Sequence, residues 1–101
     1  MTSLRSMMRA DTRRAILQAL ALDPGYSLND RILRVAVDRM EAITLDESAV
    51  REHLAWLEDR GAVTTDTVPP FILAKLTDYG LSISQGHAQL EGVSRPLPSQ
   101  V

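Results

Sequence analysis

The chain has no cysteine among its 101 residues. Disulfides and thiolate metal sites are thereby excluded, and a reducing cytoplasm is compatible. No run approaches the roughly 18 consecutive apolar residues that a bilayer-spanning helix needs. The opening stretch MTSLRSMMRADTRR lacks the apolar core of a secretory signal. There is no repeat period, no phosphate-binding glycine loop, no nucleophile elbow and no pair of histidines at ligand spacing. His53 and His87 are the only histidines, fewer than the three or four ligands of a zinc site. Ser82 and Ser84 have no base near them in sequence. These gaps point away from an enzyme, and no cofactor, metal or membrane is expected.

Positive charge is scarce where the second half of the chain is concerned. Residues 1–40 hold seven Arg and four Asp, an excess of three positive charges. Residues 41–101 hold four Lys or Arg and nine Asp or Glu, an excess of five negative charges. A nucleic-acid protein shows a basic face, so here that face must come from the first part of the chain. Apolar residues make up 45% of the sequence, enough for one modest core in one domain.

The order of elements follows from periodicity and punctuation. Ser3 to Leu22 is helical in composition, with Leu4, Met7, Met8, Ile16, Leu17 and Leu20 as an apolar stripe and a possible break at Asp11. Asp23–Pro24–Gly25–Tyr26 is a turn. Ser27 and Asp30 resemble a capping box that opens a second helix to about Glu41. Its expected buried side is Leu28, Ile32, Val35, Ala36 and Met40. After a connection of about three residues, Thr44 or Asp46 caps a third helix, which stops before Gly61, a residue suited to left-handed φ. AVTTDTV and FILAKL are β-branched and apolar strands, predicted as a hairpin with its loop at 66–70. Thr77 caps a short last helix that ends at Gly86, and residues 88–101 read as an extended tail.

Helix, helix, helix, strand, strand, helix is a winged helix-turn-helix, mainly α, with a domain at 1–87. The segments VREHLAWLEDRGAV and LAKLTDYGLSISQG resemble those of bacterial regulators of the arsenic-repressor and multiple-antibiotic-resistance type. RRAILQALALDPGYSLND, LTDYGL and the tail GVSRP make the whole chain similar to a small family of Mu-like phage and prophage proteins. That resemblance implies a phage setting, a bacterial host cytoplasm and a regulator of transcription.

The third helix raises the electrostatic question. Val50, Leu54 and Leu57 share one side, and Ser48, Arg51, Glu52, Ala55 and Asp59 take the other, with Glu47 and Glu58 nearby. In a DNA-reading helix the N-terminal residues reach base edges, so Ser48 and Arg51 are the candidate groove contacts. Arg5, Arg9 and Arg13 recur every four residues and form a candidate phosphate stripe. The plainer readings stand beside these: a solvated acidic helix surface, and the polar face of an amphipathic first helix. Trp56 is expected in core or tail packing, or as an interface anchor. FILAKL is apolar on both faces, which calls for a cover from the tail or from a second subunit. The two functional readings are a dimeric regulator bound to double-stranded DNA, and a winged helix that binds a phage protein in packaging or assembly.

Overall fold

The computed structural model describes residues 3–100. The outermost positions of the expected domain and tail, 1, 2 and 101, lie outside the described residues. Each α-helix starts on a short polar side chain that accepts a hydrogen bond from a free N–H of the first turn. Ser3 opens α1 (Leu4–Leu22), Asn29 opens α2 (Asp30–Glu41), Asp46 opens α3 (Glu47–Asp59) and Thr77 opens α4 (Asp78–Ser84). The strands are β1 (Ser27–Asn29), β2 (Val63–Val68) and β3 (Phe71–Leu76), and a 3-10 turn covers Pro98–Gln100. They form one antiparallel sheet in the order β1-β3-β2. The hairpin follows α3 directly, so the winged helix-turn-helix is present. No described helix is long and apolar enough to cross a membrane.

Four local expectations give way to the structure. α1 runs without a break through Asp11. Asn29, not Ser27, caps α2, because residues 27–29 pair with β3 as a strand too short to show a period of two. The connection before α3 spans 42–46, since Asp46 rather than Thr44 bonds the Ala49 N–H. The wing turn is shorter than predicted: pairing continues to Val68 opposite Phe71, leaving only the cis-linked Pro69 and Pro70.

The core is built from α1 (Ala15, Ile16, Leu17, Ala19, Leu20), α2 (Leu33, Val37), α3 (Val50, Leu54, Leu57), the sheet (Val63, Ala74, Leu76) and Ile83. Val50, Leu54 and Leu57 are where the sequence places them. In α2 the buried side is instead Asp30, Leu33 and Val37, while Ile32, Val35 and Met40 are exposed. α2 carries apolar residues on two sides, so period alone cannot choose between them. Bonds from Asp30 to α3 and β3 make the choice. Leu4, Met7 and Met8 are also exposed, because the first turns of α1 extend past the core.

α3 ends in a paired set of bonds, Gly61 N–H to Glu58 and Ala62 N–H to Leu57, with Gly61 at φ 80°. The Ala62 carbonyl then accepts from the Thr77 N–H and hydroxyl, which seats α4 against the base of the wing. Gly80 rests on the same carbonyl. A Cβ built there would lie 2.0 Å from the Ala62 oxygen. Gly80→Ala is expected to destabilise the fold by about 2 kcal/mol or more, read as a lower urea midpoint with an unchanged slope.

Candidate nucleic-acid interface

Asp30 sits at the start of α2 with its side chain 1% exposed. A carboxylate so buried must be paired and hydrogen-bonded. One oxygen accepts from Arg51 Nε on α3 at 2.8 Å, and the other from the Ile72 N–H on β3 at 3.0 Å. Burial pulls the Asp30 pKa upward, but the Arg51 and Ile72 bonds and the Arg51 charge outweigh it and hold the carboxyl below its usual value. Arg51 also donates to the Pro70 carbonyl at the wing tip, 2.9 Å, and meets Glu47 at 2.8 Å. One carboxylate and one guanidinium thus tie α2, α3 and the wing together.

Counted from Arg51 at about 100° per residue, Ala55, Ser48, Asp59 and Glu52 fall between roughly 40° and 100°. All four are exposed. Glu58 is turned to the wing, where it accepts from the Thr65 N–H and hydroxyl at 2.7 Å each. Glu47 is engaged by Arg51. Glu52 and Asp59 enter no ion pair among the described residues. The outward strip of α3 therefore carries two free carboxylates and no cation.

Cations stand on both sides of that strip. On the wing side, Arg31 and Arg34 of α2 are exposed and line a notch with Asp30 and Glu47. Arg31 lies over the Phe71 ring, 5.2 Å from its centroid. On the other side, Arg5 and Arg9 are exposed on α1. They line an open groove of about 630 Å³ with Leu4, Met8, Leu45 and His53. Sequence reasoning missed Arg31 and Arg34. Their i,i+3 spacing at the start of the second helix was the available signal.

Arg13 belongs to the expected stripe by spacing but not by environment. Its Nε donates to His53 Nδ1 at 3.3 Å and its Nη1 to the Gly92 carbonyl at 3.0 Å. Its guanidinium carbon lies 3.8 Å from the Trp56 ring centroid, as does that of Arg60. Both cations therefore lie against the Trp56 ring. The tail passes the rim of the same ring. Gly92 has φ 93°, and a Cβ there would come within 2.7 Å of Trp56. Ser94 bonds Ala10 and Asp11. The tail is therefore fastened to α1 and α3, while Leu73 on β3 stays exposed. His53 is half-buried. Burial first, then the charges of Arg13 and Arg9, lower its pKa from 6.5 to about 4. Among the described residues no group of three or more His, Asp or Glu stands close enough to hold a metal.

No family model matches the chain. The uncharacterized protein gp26 of Escherichia phage Mu is 28% identical over 95 residues, spanning 94% of this chain and 97% of that protein. An uncharacterized protein of Haemophilus influenzae is 28% identical over 83 residues, 81% of this chain and 79% of its own. Among solved structures, F93 from STIV, a winged-helix DNA-binding protein, superposes with a TM-score of 0.60 at 18% identity, covering 71% of this chain and 77% of its own. The fold is thus shared with F93, and the sequence is similar to a phage Mu protein. The resemblance to arsenic-repressor and multiple-antibiotic-resistance type regulators gains no support beyond the common architecture.

Asp30→Ala leaves the Ile72 N–H and the Arg51 guanidinium without their partner. It is expected to cost about 2 kcal/mol in urea unfolding. His53 gives a pH signature. A folded pKa near 4, below the unfolded 6.5, contributes stability that is complete above pH 6.5 and is lost as pH falls from there to 4. His53→Asn keeps an acceptor for Arg13 but does not titrate, so the decline in urea midpoint over that interval should shrink in the variant.

Proposed function

We propose that this chain binds double-stranded DNA as a regulator of phage genes in the host cytoplasm, with α3 in the major groove. The observation that carries this reading is the pair of arginine rims, Arg31 with Arg34 and Arg5 with Arg9, on either side of the outward strip of α3. An α-helix with side chains is about as wide as the major groove, and the phosphates run along the groove edges. Rims placed outside the helix meet those phosphates, and affinity comes from counterion release there, not from α3 itself. Ser48 lies at the start of α3, within reach of a base edge or a phosphate. Arg51 and Arg13, by their bonds, act as positioning residues: one sets the wing against α3, the other sets α1 against it.

Two further features support the reading. F93, which shares the fold, is described as a DNA-binding protein, and gp26 comes from a phage. Leu4, Met7 and Met8, exposed on successive turns beyond the core, offer a second copy an apolar arm, consistent with a dimer on paired half-sites. One observation favours a different partner. The free carboxylates Glu52 and Asp59 would suit a basic segment of a phage assembly protein.

A salt titration separates the two. Four rim arginines give a slope of about −3.5 in log affinity against log salt on a mixed-sequence duplex, and Arg31→Ala with Arg34→Ala reduces it to about −2. Absence of duplex binding at low salt, where attraction is greatest, removes the DNA reading and leaves the protein partner.

A further inference from the structure

We infer that the outward strip of α3 selects cytosine, through carboxylates that accept from the exocyclic N4 amino group in the major groove. This rests on the DNA reading above. The strip presents a hydroxyl at Ser48, a methyl at Ala55 and carboxylates at Glu52 and Asp59, all exposed. Guanine offers two acceptors, O6 and N7, and needs a cationic donor such as arginine. The one arginine within α3, Arg51, has Nε on Asp30 and Nη2 between Glu47 and the Pro70 carbonyl. Guanine is therefore left without its usual reader on this helix.

An ionised carboxylate is acceptor-only. It can pair with an amino group of cytosine or adenine and is repelled by ring lone pairs. Adenine sets its N7 lone pair next to N6, whereas the cytosine edge has N4 and no acceptor beside it. Cytosine is therefore the base an isolated carboxylate fits best. Glu52 is the principal reader, because it lies in the N-terminal half of the helix, which goes deepest into the groove. Asp59 is seven residues on, about 10 Å along the helix axis, and reads a second cytosine about three base steps away at 3.4 Å per step. The Ala55 methyl between them suits a thymine methyl. Because the rims supply the attraction, the carboxylates act by discrimination.

Selection from a randomised duplex pool tests this on the full chain. Wild type should enrich cytosine at a fixed position by about tenfold over the other bases. Glu52→Gln should move the preference there to adenine, since an amide can pair with N6 and N7 together. Glu52 is exposed and enters no ion pair among the described residues, so the variant keeps its fold, which an unchanged urea midpoint checks. Duplex binding with the expected salt slope but no enriched position, or a base preference that Glu52→Gln leaves in place, overturns the inference while sparing the DNA reading. No duplex binding at low salt overturns both.

Discussion

A single buried carboxylate organises this molecule. Asp30 lies where α2 begins, and its two oxygens are taken by groups from two other elements, the Arg51 guanidinium and the Ile72 N–H. Without that anchor α2 has two apolar sides to choose between. With it, Leu33 and Val37 turn inward and Ile32 and Val35 turn out. The helix-turn-helix angle and the position of the wing are both downstream of this choice. A carboxylate withdrawn from water adds little net stability when paired but strongly penalises any arrangement that leaves it unpaired. Its contribution here is therefore to uniqueness of geometry.

The same ion pair answers the charge puzzle of the third helix. Of its four carboxylates, Glu47 braces Arg51 and Glu58 braces Thr65 on the wing. Half of the acidity that argues against nucleic acid is thus structural. The remaining carboxylates face outward, and the arginines that could balance them come from α1 and α2. Positive and negative charge are thus carried by different elements of the fold, and the charge of one helix taken alone is a poor guide to the charge of the whole surface.

How much of this the sequence discloses depends on the range of the interaction concerned. Caps, turns and the glycine that ends α3 are local, and Asp46, Thr77 and Gly61 were legible, as were the buried Val50, Leu54 and Leu57. β1 was not, because three residues are too few for a period and its partner is more than forty residues away. The fate of Arg51 was hidden for the same reason. Spacing shows its local partner Glu47, while Asp30 and Pro70 are brought to it only by the fold. Arg13 kept its helical spacing with Arg5 and Arg9 yet is turned inward, since Trp56, forty-three positions later in the chain, supplies the ring it stacks on. The shared fold with F93 agrees with the architecture, and the 28% identity to a phage Mu protein agrees with the resemblance to Mu-like phage proteins.

The hairpin is gripped along its whole length. Its tip is held by Arg51 through Pro70, its middle by Glu58 through Thr65, and its root by Thr77 on the Ala62 carbonyl. A ribbon fixed at three heights has no hinge about which to swing. In the complex proposed above, a duplex meeting this wing would itself supply the compliance, by bending or by local change of groove width. Such accommodation is easier at flexible pyrimidine–purine steps than in stiff A-tracts, so under the DNA reading a fixed wing would act as a filter on sequence at positions no side chain touches.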